Sequence, residues 1–395
     1  MTTAEVDVLA GAEAVLRKIC AEFPIAGGDG SESDRIAAVE ESGADEAQVL
    51  AIARQVQSRL FDAGLAWPDG PAEYGGRELD EDDANRLESL IDSFDLPTRH
   101  NLFVGLHIVA PAILEYGTPE QRQRYLPALF RGDQVGCQLF SEPGAGSDLA
   151  GVSTKAVREG DDWVITGQKV WTSHGHVADL GEALVRTDPT APKHSGMTMF
   201  MVDMHAPGVT VRPLRQITGG AAFNEVFLDE VRVPDSARIG APGEGWRVAL
   251  TSLSSERGSM GGAGGPLSPT VLNRLAGLIE QQDGGGDPFL RVRVAQTVGA
   301  VLAMRAAMDR ADDEWLDGIA EVSGSVQKML MTRALDEVST LAADLLGHRA
   351  FVDTGVFNTH AWSEFILGVP GLHLAGGTDE IQRGLIANRG LRLPR

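Results

Sequence analysis

The sequence predicts an α+β protein: an N-terminal helical domain, a middle antiparallel β domain and a C-terminal helical bundle. Three observations predict it. Apolar residues recur at helical spacing up to about Asp133. Short β-rich runs split by turn formers then follow, with no helix-length segment between them. Helical spacing resumes after Gly240–Trp246. The domains implied are 1–133, 134–240 and 241–395.

In the first third, Val49, Ile52, Val56, Leu60 and Leu65 fall at spacings that line one helix face. WPDGPAEYGG, Trp67 to Gly76, carries too many turn formers for a helix and reads as a loop. TPEQ opens the next helix, with Thr118 as cap, Pro119 in the first turn and Gln121 completing a capping box. The strands are WVITG, EALVRT, MTMFMVDM, VTVRPL and NEVFLDEVRV, separated by turns at Glu159–Asp162, His205–Gly208 and Thr218–Gly220. Cys137 sits in a further strand, as a small buried hydrophobe rather than a nucleophile. An antiparallel sheet or small barrel is expected, not a βαβ nucleotide-binding unit. After Gly-rich 283–288, two long helical segments span roughly Phe289–Trp315 and Gly318–Leu346, and a last helix starts near Thr378.

With 395 residues and 43% apolar content, the chain can bury a sizeable core. Its net charge of −22 argues against non-specific binding to nucleic acid or an anionic membrane, so any anionic ligand must be held by local amides or a few arginines. Two cysteines build neither a disulfide scaffold nor a Cys-rich metal site. No run reaches the roughly 18–20 apolar residues of a membrane span, and the acidic N-terminus is unlike a signal peptide, so a reducing cytoplasmic setting is expected. His107, His174, His176, His348, His360 and His373 show no metal-ligand spacing and read as hydrogen-bonded or solvated.

Three segments bear on chemistry. QLFSEPGAGSD, Gln138 to Asp148, is either a Gly-rich turn leaving a strand or a backbone cradle for an anion. GDDWVITGQKVWTSHG, Gly160 to Gly175, reads as a hairpin with Trp163 and Trp171 in the core. In LAGGTDEIQRGLIANRGLRLPR, Thr378 caps a helix whose first turn holds Asp379 and Glu380, which suits the helix dipole and also makes a possible phosphate seat.

In this order and spacing, SEPGAGSD, KVWTSHG and GGTDEIQRGLIANRGLRLP resemble the signatures of the acyl-CoA dehydrogenase family. EYGG, YGTPEQRQRYLP, FNEVFLDEVRVP and GEGW extend the resemblance over roughly Leu65 to Arg395. It implies FAD bound between the β domain and the C-terminal helices. By matching positions, Phe140 and Ser141 would meet the flavin near N5, and Gly146 and Ser147 its pyrophosphate or the substrate. Trp171 would cover the isoalloxazine, Ser173 would bond its edge, and Thr378 and Glu380 would touch the phosphate and adenosine side. The implied reaction removes the α-proton of an acyl-CoA thioester and passes the β-hydrogen to flavin N5. Implied partners are an acyl-CoA substrate, an electron-transfer flavoprotein, and copies of this or a related chain in a homotetramer or heterotetramer.

Many members carry a glutamate base where this chain has Gly376, whose N–H is left to donate to the thioester carbonyl. Glu256, on the helix after the β domain, occupies the family's second location for the base. Ser147, Thr187, Ser254, Arg257 and Gly377 are the matching substrate-side residues. Gly258, Gly261, Gly262, Gly264 and Gly265 make room for a bulky acyl group or mark a helix end. Asp344 and Gly347 sit where many members contact the partner's FAD through Gln and a Gly-Gly pair, and the Arg-x-x-Phe-Gly stretch that many members aim at that FAD is absent. The function expected is FAD-dependent dehydrogenation to the trans-2-enoyl-CoA in fatty acid or lipid catabolism. The alternatives are a non-catalytic or half-site subunit of a heteromeric dehydrogenase and an oxygen-using flavin enzyme on the same fold.

Overall fold

The computed structural model describes residues 3–24, 46–259, 267–282, 287–310, 322–352 and 357–394. The chain divides into two compact units, the first within Met1–Ala26, Ser42–Arg215 and Ala221–Ser255, the second within Gln216–Gly220 and Glu256–Arg395.

The first unit opens with helices α1 (Thr3–Glu22), α2 (Glu46–Asp62), α3 (Glu81–Asp92), α4 (Ala110–Tyr116) and α5 (Pro119–Arg131). Leu16, Ile19, Val56, Leu60, Leu87 and Ile91 bring α1, α2 and α3 together on one apolar cluster. The start of α5 is the expected capping box: Thr118 Oγ1 accepts from Gln121 N–H while Gln121 Oε1 accepts from Thr118 N–H. Eight strands follow: β1 (Gly136–Leu139), β2 (Lys155–Glu159), β3 (Asp162–Ser173), β4 (Leu180–Arg186), β5 (Met197–Asp203), β6 (Val209–Leu214), β7 (Phe223–Pro234) and β8 (Arg238–Ile239). Helix α6 (Gly245–Ser259) then begins.

The sheet runs β6-β7-β3-β2-β4-β5-β8, with β1 beside β4. It departs from the expected all-antiparallel pairing. β1 pairs with β4 in parallel from Gly136↔Leu180 to Leu139↔Ala183, and β2 meets β4 in parallel at Lys155↔Arg186. Parallel neighbours need a long connection, and the β2–β3 hairpin supplies it. One face of the sheet, with Leu180, Leu184, Met199 and Met201, packs on Ile113 of α4, Leu126 of α5 and Val248 of α6. The other face gathers Ala183, Val185, Phe200, Ile165 and Val226. Cys137 is buried, and burial pushes its thiol pKa far up, so it stays protonated.

The second unit holds α7 (Pro269–Gln282), α8 (Pro288–Met308), α9 (Ser323–Leu346), α10 (Phe357–Leu372) and α11 (Asp379–Leu385). Leu275, Val301, Met304, Leu335, Val338, Trp362 and Phe365 form its core. Among the described residues, no helix is long and apolar enough to cross a membrane.

Two buried polar contacts organise the first unit. Lys169 of β3 has no exposed surface, and its Nζ donates to Glu142 Oε1 (2.9 Å) and to the carbonyls of Phe140 (3.0 Å) and Leu184 (2.6 Å). Desolvation lowers its pKa to about 8, against the pull of Glu142. Burial works to raise Glu142, but the Lys169 charge and hydrogen bonds from Thr154 and Ser153 outweigh it and hold the carboxyl at about 2. The second contact ties β4 to α6: Ser252 Oγ donates to Glu182 Oε1 at 2.8 Å, while Glu182 Oε2 is buried and has no partner among the described residues. Burial raises this carboxyl to about 8, against the Ser252 hydrogen bond.

Each contact has a thermodynamic signature. Lys169→Met strands a buried carboxylate and should cost about 3–5 kcal/mol in urea unfolding, with Lys169→Met/Glu142→Gln losing clearly less. Glu182 has a folded pKa above its unfolded value, so its contribution is complete below about pH 4 and fades as pH rises towards 8. Relative to Glu182→Gln, which keeps the acceptor for Ser252, the parent chain should therefore lose about 1.4 kcal/mol per pH unit across that window. Melting curves of both proteins between pH 5 and 8.5 check this, and parallel curves would contradict it.

Candidate active site

The loop leaving β1 is shaped by Glu142. Its backbone exchanges hydrogen bonds with Ala145 (2.9 and 3.0 Å), which leaves Pro143 and Gly144 at an exposed tip. Phe140 is buried in the core. At Gly144 and Gly146 an added Cβ would meet nothing within 4 Å. Packing within the chain therefore does not explain these glycines, and their backbone stands open.

Beside this loop, the β3–β7 pairing breaks between Lys169 and Thr172. Val170 N–H turns to the carbonyl of Ser141 (2.9 Å), fastening the loop to β3. Trp171 is forced to φ +63°, a backbone region costly for an indole-bearing residue, and stands 60% exposed with its ring edge-on to Phe223. Trp171 is thus not the core residue of a hairpin, as its segment alone suggested. The bulge re-aims it outward, whereas Trp163 is buried. The hydroxyls of Ser141, Ser147 and Ser173 make no hydrogen bond among the described residues, and Thr172 Oγ1 is buried and unpaired. An exposed aromatic plane, open backbone and unused hydroxyls along one edge fit a flat, polar-rimmed cofactor such as a flavin.

The turn after Ser173 is clipped to α2. Glu46 lies 2.6 Å from His176 Nε2 and 3.6 Å from His174 Nδ1, and His176 Nδ1 meets Asn224 Oδ1 at 3.1 Å. Burial works to raise Glu46, but hydrogen bonds to both histidines lower it to about 2. Both histidines are therefore engaged in anchoring. Thr187 spends its hydroxyl on Thr198 (2.7 Å) inside the sheet. On α6, Ser254 is exposed, while the side chains of Glu256 and Arg257 lie outside the described residues, as do residues 260–266 with Gly261, Gly262, Gly264 and Gly265; Gly258 lies within the helix.

In the second unit, Gly376 (φ +62°) and Gly377 (φ +87°) form the turn before α11. Thr378 caps that helix by accepting from Ile381 N–H, and Glu380 is exposed within 3.6 Å of Arg383. At the end of α9, Asp344 pairs with Arg293 (2.8 Å) and Gly347 is exposed at φ +54°.

Sequence reading missed Lys169 as the organiser of the Ser141 loop, and Lys328 and Gln382 behind the Gly376 turn. Each sits in a quoted motif or a helical run, but its partners lie in distant segments.

Three family models cover most of the chain: the acyl-CoA dehydrogenase N-terminal domain at 33–133, the middle domain at 137–231 and the C-terminal domain at 243–391. Acyl-CoA dehydrogenase FadE34 of Mycobacterium tuberculosis is 41% identical over 90% of this chain, which spans only 48% of that relative. Acyl-CoA dehydrogenase IpdE1 of the same organism is 36% identical over 87% of this chain and 88% of its own length. A solved structure titled Tcur3481-Tcur3483 steroid ACAD matches with a TM-score of 0.77 and 27% identity, over 100% of this chain and 99% of its own. With all three domains matched and a relative 41% identical over 90% of this chain, the chain belongs to the acyl-CoA dehydrogenase family of FAD-dependent oxidoreductases.

Proposed function

We propose that this chain oxidises an acyl-CoA thioester to its trans-2-enoyl-CoA, and that the acyl group is bulky and of the steroid class. The observation that carries the reading is Trp171, turned outward on a strained backbone beside the unused Ser141 and Ser173 hydroxyls. The steroid assignment is supported by the whole-chain likeness to a protein titled as a steroid enzyme.

When bound, FAD supplies a hydride acceptor at N5. Phe140, Ser141, Gly146, Ser147, Trp171 and Ser173 would hold it from the first unit, with the Trp171 indole excluding water from one side of the ring. Thr378 and Glu380 are assigned to a flavin's phosphate and adenosine side, and Asp344 and Gly347 stand where many members reach the partner's FAD. Glu256 takes the α-proton. The N–H of Gly376, with Gly377 beside it, donates to the thioester oxygen as enolate charge develops. Thr187, Ser254 and Arg257 are assigned to the CoA thioester. A glutamate at 376, as in many relatives, would sit on a backbone at φ +62°, where side chains are strained. That favours a base supplied from α6.

A second reading concerns assembly. Asp344 is paired with Arg293, so the carboxylate at the start of the stretch that many relatives direct at a neighbour's FAD has a partner within this chain. We infer a heterotetramer with a related chain, in keeping with the two-protein title of the solved relative. Cytoplasmic placement and an electron-transfer flavoprotein as acceptor complete the proposal.

An anaerobic titration with a panel of acyl-CoA thioesters, following the visible flavin band, tests the activity. Steroid-side-chain thioesters should bleach the band and short straight-chain ones should not. Glu256→Gln should keep the band and slow bleaching roughly 10²–10⁴-fold; an unchanged rate would remove Glu256 as base. The assembly is checked by flavin content: expressed alone, the chain should hold less than one FAD per protomer, and full loading as a homotetramer would refute the heteromer.

A further inference from the structure

Within the first unit, two neighbouring strands each bury a polar atom that has nothing to bond. Glu182 of β4 is 1% exposed, and its Oε2 has no partner among the described residues. Gln138 of β1 is its register partner on the parallel strand beside it, and Gln138 Nε2 is likewise buried and unpartnered. Residues two apart on a strand share a face. Gly136 and Phe140, on either side of Gln138, meet Gly105, Leu129 and the apolar layer over α4, α5 and α6. Ser252 of α6, which has no exposed surface, reaches the same layer and donates to Glu182 Oε1 at 2.8 Å.

The unmet groups are of one chemical sense. Burial raises the Glu182 carboxyl to about 8, so at neutral pH it keeps its proton. With Oε1 accepting from Ser252, that proton sits on Oε2 and makes the unpartnered oxygen a donor. Gln138 Nε2 carries N–H donors only. Two donors on adjacent strands call for an acceptor with two lone pairs and no proton of its own, and a ketone oxygen is such a group. Their place in the unit suits a substrate. Gln138 precedes Ser141 by three residues, about 10 Å of strand. Ser252 precedes Glu256 by four residues on α6, about 6 Å of rise. At the start of β1, a π-helical turn (Gly105–Val109) packs glycine to glycine, and a Cβ on Gly136 would lie 2.7 Å from Gly105 Cα. Such widened turns gather at functional sites. Gln138 as a whole is only half-buried, so the layer does not close over it.

We propose that Gln138 and Glu182 form a specificity subsite that donates to a ketone oxygen on the acyl group, with Ser252 orienting the Glu182 carboxyl. The proposal rests on the dehydrogenase reading above and deepens it: the substrate is an acyl-CoA thioester whose bulky skeleton carries a ketone beyond the reacting carbons.

The test is anaerobic flavin bleaching at subsaturating thioester, with flavin-loaded protein. The probes are paired steroid-side-chain acyl-CoA thioesters, each pair with a ketone at one ring position and a methylene in its place. The variants are Gln138→Met and Glu182→Met, which each remove one donor, and Glu182→Gln, which keeps an acceptor for Ser252 and a donor beside Gln138. The parent should favour one ketone isomer over its methylene partner by about tenfold or more, the scale of one or two net hydrogen bonds. Gln138→Met and Glu182→Met should bring that preference within about threefold without slowing the methylene thioester, and Glu182→Gln should retain it. A merely structural role would slow both members of a pair alike, and that result would overturn the subsite. So would methionine variants that keep the preference, or a parent with none at any ring position, which leaves the two atoms to bound water. A panel in which no thioester bleaches the flavin would instead remove the dehydrogenase reading, and the subsite with it.

Discussion

A lysine ammonium sealed from water is the contact on which the sheet unit depends. Lys169 is tolerated there because a carboxylate and two carbonyls surround it, contributed by the exit of β1, the loop beyond it and β4. The Glu142 carboxylate cannot turn away without stranding the ammonium, and the buried amine holds its proton less readily without Glu142. The loop therefore takes one shape, and its tip and the serines on either side are presented the same way each time. A site assembled on a loop gains the rigidity of a strand by this route.

The second unit uses the same chemistry for a different end. Lys328 and Asp379 are also a buried pair, but their remaining hydrogen bonds go to the backbone of a turn rather than to another strand. The buried pair thereby fixes the backbone of the turn before α11.

Much of the architecture was legible in the sequence because it is local. The capping box at Thr118 and the cap at Thr378 need only three or four neighbouring residues, and the period change near Val135 is a property of short windows. What was not legible is what closes over long separations. The parallel β1–β4 pairing joins residues 44 apart, Gly136 and Leu180, and nothing in either strand announces its partner. Short strands such as β2, with its exposed alternation, and two-residue β8 carry too little pattern to stand out. The site divides the same way. Ser141, Trp171 and Thr378 were found through motifs, but the outward turn of Trp171 follows from a pairing irregularity against β7, and the histidines after it became anchors only when Glu46 of α2 was placed beside them.

The exposed indole of Trp171 also bears on how the unliganded chain fares. A large aromatic surface on a strained backbone gains nothing from water and adheres readily to other apolar surfaces. Whatever flat molecule covers it removes that adhesiveness and draws the folded population upward by mass action. On the reading proposed above, the yield of soluble chain would then depend on the supply of its cofactor as well as on the sequence.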